Sequence, residues 1–428
     1  MGSTMTAKIL ARAAGKDVVA AGDVLLADVD VLTVPDAERF IDVFVDEGLR
    51  VWDPSRIVFC FDHFFADWMP SGAVREHPKI HRFSEDQGIP RDQIYDLDRN
   101  GLSHQVPVEE GWILPGTVSI GADTQSATMG AMNCFSMPAL SSGTTAVALT
   151  GKWWIVVPEC IRVNLTGALP AGVLGKDVAY RLIRDMGGFV DGRVLEFAGP
   201  GVASLPIDVR MGIANGAIQI GAQTVVFPGD QRLLDYLRPR ARAPFVTVEP
   251  DEDAPYYRTI DYDLSTFECL VSGPHEIDLI RPVSEVAGTK VHAANIGSCS
   301  SGRLEDLKLA AEVLEGHVIH SDVRMAVTPI SASVMRAAER TGILDVFRAA
   351  GAVVSEPGCG GCYHGNRSPI QLQDDEVCIS TSVENLSGRM GGVGSQIYLG
   401  SAAVVAASAI GGAITDPAPY LEGKVGVR

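Results

Sequence analysis

Arg56-Ile57-Val58-Phe59-Cys60-Phe61-Asp62-His63 is the stretch on which the fold turns. A near-continuous apolar run marks a strand buried on both faces, as in a parallel sheet covered by helices. The run stops at Asp62-His63. Polar residues just past the carboxyl end of such a strand are where α/β folds place their chemistry. Outward from this stretch the same arrangement returns. Val118-Ser119-Ile120-Gly121 ends at Asp123-Thr124-Gln125-Ser126, with a small-residue helix predicted from about Met129. Val291 to Ile296 ends at Cys299, before the helix opening at Arg303-Leu304-Glu305-Asp306-Leu307. Val318-Ile319 is a further apolar stretch, and Ala352-Val353-Val354 leads to a turn at Cys359. Strand, polar turn and helix in repetition predict an α/β fold with mostly parallel sheets.

The middle of the chain forms a unit of its own. Cys160 to Phe227 reads as strand, a turn at Gly167-Ala168-Leu169-Pro170, a helix from Gly175-Lys176-Asp177, a strand near Val194-Leu195-Glu196-Phe197, a helix over Met211 to Ile220 and a strand at Thr224-Val225-Val226-Phe227. Residues 242–274, with Glu249-Pro250-Asp251-Glu252-Asp253, read as a solvated connector. Near the start, Ala37-Glu38-Arg39-Phe40-Ile41 opens an amphipathic helix. A chain of 428 residues exceeds one ordinary core. Length alone gives two to three domains; the expected division is 5–157, 158–281 and 282–428.

With 46% hydrophobic and 21% charged residues, the composition is that of a packed globular protein. The formal net charge of -18 and the lack of a basic stretch argue against nucleic acid. Lys8 and Arg12 interrupt any signal-like apolar run, and Met1-Gly2-Ser3-Thr4 reads as a leader added ahead of Met5. Met390 to Thr415 is uncharged but rich in Ala, Gly and Ser, which suits a glycine loop and a buried helix rather than a bilayer span. Eight cysteines in a chain this long form no disulfide framework, and they point to a reducing cytoplasm.

Gly297-Ser298-Cys299-Ser300 and Pro357-Gly358-Cys359-Gly360-Gly361-Cys362 offer three thiols, two of them on a glycine-rich turn. Three cysteines are one short of a closed tetrahedral thiolate site. They suit an iron–sulfur cluster with one iron left open to substrate, but zinc sites and redox dithiols use the same spacing. On spacing alone these readings stand together with buried thiols on a turn.

Taken in order, the motifs resemble the aconitase superfamily, and within it the isopropylmalate isomerase (3-isopropylmalate dehydratase) large subunits, over essentially the whole chain. The two cysteine loops, Asp62-His63, Gly101-Leu102-Ser103-His104, Leu169-Pro170-Ala171-Gly172-Val173 with Lys176-Asp177, and Ser387-Gly388-Arg389 with Gly391-Gly392 carry the likeness. The resemblance implies three α/β domains around a 4Fe-4S cluster on Cys299, Cys359 and Cys362, with one iron not ligated by protein. It implies a hydro-lyase (dehydratase or isomerase) acting on a small hydroxy acid or unsaturated acid. Hydroxide is a poor leaving group, so the reaction needs a Lewis acid, a proton donor and a base. His63 held by Asp62, His104 and Asp123 are the acid and proton-shuttle residues that the resemblance supplies.

Departures from the family pattern point to the substrate. The family's Asp-Ser-His-Thr turn is Asp123-Thr124-Gln125-Ser126, which replaces an imidazole by an amide that cannot exchange protons. A helix that usually carries Asn and, a turn later, Glu has Asn215 and Gln219. The usual Ser-Asn-Arg-Asn is Ser382-Val383-Glu384-Asn385, so a carboxylate-binding arginine becomes an acid, while Arg389 is kept. The early Asp-Arg-His segment reads Asp28-Val29-Asp30, without a cation. Thr124, Gln125, Asn215, Gln219, Glu384 and Arg389 are the expected substrate-binding set. The expected substrate is less anionic than citrate or isopropylmalate, with an amine, amide or neutral polar group toward Glu384. In single-chain aconitases a swivelling fourth domain completes the site. The sequence stops at Arg428, so a separate small subunit is expected to supply that domain. The alternatives are altered Lewis-acid chemistry on a specialised metabolite, and a non-catalytic binding or regulatory relative. Cys60, Cys134, Cys160, Cys269 and Cys378 are expected to pack as small apolar residues. His77, His81, His275, His292, His317 and His320 belong to no motif, and Tyr363 and His364 adjoin the cysteine turn.

Overall fold

The computed structural model describes residues 2–36, 40–63, 70–140, 142–362 and 370–422. Tyr363, His364 and the Ala37-Glu38-Arg39 helix opening lie outside the described residues.

The apolar run before Asp62 forms the strand Ile57–Cys60, buried along its whole length. It lies between Ile94–Tyr95 and Val31–Pro35 in a five-stranded, all-parallel sheet continued by Val118–Gly121 and Phe135–Pro138. Phe40, Phe44, Phe59 and Phe83 pack edge-on and stacked against one face, with ring centroids 5.5–6.4 Å apart. Apolar burial on both faces is why the strand shows no alternation. A second parallel sheet orders Thr224–Val226, Val194–Ala198, Cys160–Thr166 and Arg258–Asp263. The third has seven strands. Ile280–Pro282 and Leu270–Ser272 pair antiparallel at one edge, and Gln396–Gly400, Val377–Ser380, Ala293–Gly297, Arg324–Thr328 and Val353–Val354 run parallel beyond them.

Some local expectations shift. The stretch after Asp123 folds as a tight 3-10 helix over Ser126–Met132, earlier than the helix predicted from Met129. The true α-helix follows at Ser142–Thr150. Small residues permit the tight winding, and Asp123 fixes its start by accepting from Ser126 Oγ at 2.6 Å through its carbonyl. Val318-Ile319 stays irregular, and the strand comes later, at Arg324–Thr328. The acidic stretch 242–274 carries two strands, Arg258–Asp263 on the edge of the second sheet and Leu270–Ser272 in the third. Met390 to Thr415 does contain a buried helix, Ala402–Gly411. Among the described residues no helix is long and apolar enough to cross a membrane.

Because the sheets are mostly parallel, their carboxyl ends gather the loops of interest. Asp36 follows Val31–Pro35, Asp62-His63 follows Ile57–Cys60, and Asp123 follows Val118–Gly121. Cys299 follows Ala293–Gly297, and Thr381-Ser382 follows Val377–Ser380. Asp28-Val29-Asp30 sits instead at the amino end of Val31–Pro35, where Asp28 pairs with Lys152 and Asp30 with Arg12 and Arg56. That segment ties structure together at the opposite strand ends, so its lack of a cation does not bear on the site.

Candidate functional site

Asp62 joins both histidine loops. Its Oδ1 lies 2.5 Å from His63 Nδ1, and its Oδ2 accepts from Ser103 N at 3.0 Å. Asp62 itself is buried, and burial pushes its carboxyl up to about 6 against the opposing pull of His63. Burial pulls His63 down, but Asp62, Asp36 and Asp123 outweigh it and raise the imidazole to about 9. His63 therefore carries a proton at neutral pH. His104 does not: burial lowers it to about 4, Asp123 opposes that, and Arg303 adds to it. One histidine is poised as a donor and the other as a neutral imidazole.

Asp36 is a site residue that sequence reasoning misses. It accepts from His63 N at 2.8 Å and Asp62 N at 3.3 Å, and its Oδ2 lies 3.1 Å from His77 Nε2. The side chains of Asp36, Asp62 and His63 are close enough to hold an ion, but these hydrogen bonds account for their closeness. His77, without a motif in sequence, stacks near the Phe61 ring, with centroids 4.1 Å apart. The one signal for Asp36 is its place just past a short apolar run, in an ordinary Val-Pro-Asp. Asp36→Asn is expected to cost about 1–3 kcal/mol, read by urea unfolding at pH 7. Desolvation raises Asp36, but the His77 hydrogen bond and the charge of His63 outweigh it and hold the carboxyl below 3.8. A depressed carboxyl contributes stability that is present above pH 3.8 and lost as pH falls through its folded value.

The cysteine loops meet the Asp62 strand end directly. Cys359 N donates to Asp62 O at 3.0 Å, and Asn100 Nδ2 donates to Pro357 O at 2.9 Å. Gly358 has φ +151°, and a Cβ there would lie 2.7 Å from Asp62 O, so only glycine admits this approach. Gly297, at φ +135°, meets Thr328 O in the same way, at 2.2 Å from an added Cβ. Cys362 is the common neighbour of the other two thiols. Contacts with Cys299 and Cys359 draw it well down, and the same contacts push those two up. Among the described residues the three sulfurs do not all come within 4.8 Å of one another. Buried polar atoms crowd the same region without protein partners among the described residues: Ser103 Oγ, His104 Nδ1, Ser298 Oγ, Ser301 Oγ and Arg303 Nη2. Such atoms want a bound group. The donor set fits an iron–sulfur cluster.

Arg303, in sequence only the start of a helix, is fully buried. It donates through Nε to Gln105 Oε1 at 3.0 Å and through Nη1 to Ser300 O at 3.3 Å. A large cavity, ≈ 660 Å³, opens at the amino ends of the first sheet's strands around Trp112, Arg242 and Phe245, and it contains none of these residues. Position at the carboxyl ends, rather than volume, marks the site.

Comparison with known proteins agrees with this geometry. The model of the aconitase family (aconitate hydratase) matches residues 79–289 and 281–412. The 3-isopropylmalate dehydratase large subunit 1 of Methanopyrus kandleri is 43% identical over 430 residues, spanning 98% of this chain and 100% of its own. A probable methanogen homoaconitase large subunit of Methanothermobacter thermautotrophicus is 38% identical, over 96% of this chain and 97% of its own. This chain belongs to the aconitase family. It is a hydro-lyase of that family, for which an iron–sulfur cluster is expected. A solved structure of Thermococcus kodakaraensis aconitase X in its holo-form overlaps 86% of this chain and 89% of its own, at TM-score 0.48 and 12% identity.

Two of the residues expected to depart from the aconitase-family pattern lie in contact. Gln219, its amide set to satisfy both ends, donates to Gly216 O at 2.9 Å and Asn215 O at 3.1 Å and accepts from Gln125 Nε2 at 3.1 Å. The two positions expected to carry an imidazole and a carboxylate are here two neutral amides in contact. Asn215 Nδ2 donates to Thr128 Oγ1 at 3.1 Å, while Asn215 Oδ1 and Gln125 Oε1 are buried without partners among the described residues. Thr124 is exposed on the turn. The third departure is also paired. Glu384 lies 3.0 Å from Arg389, whose Nε donates to Cys362 O at 2.5 Å and whose Nη2 sits 3.8 Å from Cys362 Sγ. Two of the expected substrate-binding residues, Glu384 and Arg389, are thus paired with each other.

Proposed function

We propose that this chain hydrates or dehydrates a small hydroxy acid that carries less negative charge than citrate or isopropylmalate. The reading rests on the Arg389–Glu384 pair. In the family pattern this loop offers carboxylate-binding arginines, which grip carboxylates bidentately. Here the retained arginine is matched by an acid, so a second substrate carboxylate gains little and a neutral, amide or amine-bearing end fits better. Cys299, Cys359 and Cys362 would hold a 4Fe-4S cluster, which when bound supplies a Lewis acid at an iron without a protein ligand. Asp62, His63, His104 and Asp123 are the residues assigned to proton handling. His63 keeps its proton at neutral pH and can give it to a leaving oxygen, while neutral His104 can accept one. Buried Asn215 and Gln125 and half-buried Gln219 offer amides to orient the substrate's hydroxyl, with Thr124 at the rim.

The relatives are named large subunits, which supports a separate small partner chain for this protein. The free thiols and the net charge of -18 favour work in the cytoplasm on a small molecule, apart from nucleic acid and membrane. The Gln125–Gln219 pair supports a second reading, altered elimination or addition chemistry on the same cluster, because a titratable pair has become neutral. The test is an anaerobic screen of the reconstituted protein against hydroxy acids and unsaturated acids. Preference for amino- or amide-bearing acids is expected. Turnover of isopropylmalate or citrate at ordinary family rates, without that preference, overturns the substrate assignment. Loss of hydration activity on every unsaturated acid, with other eliminations retained, favours the second reading.

A further inference from the structure

Lys176 is 5% exposed, at the start of the helix Gly175–Met186, and among the described residues it has no anionic hydrogen-bond partner. Its Nζ spends all three protons on neutral acceptors: Ser300 Oγ at 2.8 Å, Ser382 O at 2.8 Å and Thr381 O at 3.1 Å. The ring of Tyr180 closes a fourth side, its centroid 5.0 Å away. The neighbouring carboxyls are occupied. Asp177 accepts from Leu174 N at 2.9 Å and Leu270 N at 3.1 Å, and Asp306 accepts from Arg303 N at 3.2 Å. Burying an ammonium without a counter-charge is costly. Burial lowers Lys176 to about 8, and the nearby Cys299, Cys362, Asp177 and Asp306 oppose that fall.

We infer that Lys176 is the buried counter-charge of the iron–sulfur group, set by its hydrogen bonds to two of the loops that surround it. The inference rests on the cluster reading given above. Three thiolates around the cluster leave an anionic assembly, and the net charge around such a cluster sets its potential. A fixed ammonium held by neutral acceptors eases the addition of an electron and the retention of thiolates. Ser300 follows Cys299, and Thr381-Ser382 lead into the Glu384 loop, so the same nitrogen fixes both. Lys176 is thus a positioning residue, acting on the cluster and not on the substrate.

The test uses the full chain reconstituted anaerobically with iron and sulfide, as wild type and as Lys176→Met, Lys176→Arg and Ser300→Ala. Iron and sulfide content, EPR and the midpoint potential of the cluster are the readouts. In Lys176→Met the reduction equilibrium is expected to fall about tenfold or more, a shift of about 59 mV to lower potential for one electron. Lys176→Arg should recover most of that shift. Ser300→Ala removes one tie and keeps the charge, so its potential should stay at the wild-type value. If Lys176→Met takes up no cluster while Ser300→Ala and Lys176→Arg do, the counter-charge is supported. Equal potentials in Lys176→Met and wild type overturn it, as does cluster loss in Ser300→Ala to the extent seen in Lys176→Met. A wild-type chain that binds no cluster would instead overturn the cofactor reading itself.

Discussion

Cys362→Ser is expected to abolish cluster uptake and to lower turnover roughly 10³-fold or more. Cys362 is 2% exposed and stands between the other two thiols, drawn down by both of them. Arg389 holds its backbone carbonyl and approaches its sulfur. A serine there keeps the size but not the soft, low-lying thiolate that iron takes. Cys299→Ser and Cys359→Ser should act in the same direction. The control is Cys378→Ser, buried in the Val377–Ser380 strand, whose thiol burial pushes up to about 12 and which lies outside the trio. Iron and sulfide analysis beside hydration rates checks this. Full cluster content in Cys362→Ser would take the thiol out of the ligand set.

The parallel α/β architecture is legible because a continuous apolar run that ends in a polar pair suits little besides a strand covered on both faces. Ile57 to Phe61 and Val118 to Gly121 contribute strands to one sheet, and their polar ends converge as the runs imply. The cysteine trio is visible as spacing and gains meaning only with its neighbours. What stays hidden is tertiary. Asp36, His77, Arg303 and Lys176 carry no local signature, since each acts through a partner 26 to 206 residues away along the chain. In sequence Gln125 and Gln219 look like two separate departures, and only the packed chain brings the two amides into contact. Glu384 is legible as a reversal of charge, but its pairing with Arg389 is not. Pattern reports burial and strand ends well, whereas pairing between distant side chains needs the packed chain.

Asp62→Asn is expected to cut turnover by roughly 10²–10⁴-fold and to move the alkaline limb of the pH profile. Burial alone would lower His63, and the Asp62 carboxylate is the first of the charges that reverse this, with Asp36 and Asp123 behind it. Removing the Asp62 charge leaves burial dominant, so the imidazole falls from about 9 toward or below 6.5. At pH 7 the proton that His63 would donate is then largely lost. An asparagine also has one acceptor oxygen where the carboxylate uses two, one for His63 and one for Ser103 N. The linkage to stability has the same origin. A raised histidine contributes stability that is complete below pH 6.5 and lost as pH rises through about 9, so wild type should lose Tm across that window. Asp62→Asn should remove that decline, because its histidine is no longer raised in the folded chain. Activity and Tm followed from pH 6 to 10 in both proteins decide it. An unchanged alkaline limb in Asp62→Asn would show that His63 takes its proton affinity from elsewhere, and would shift the donor role to another group at the same strand ends.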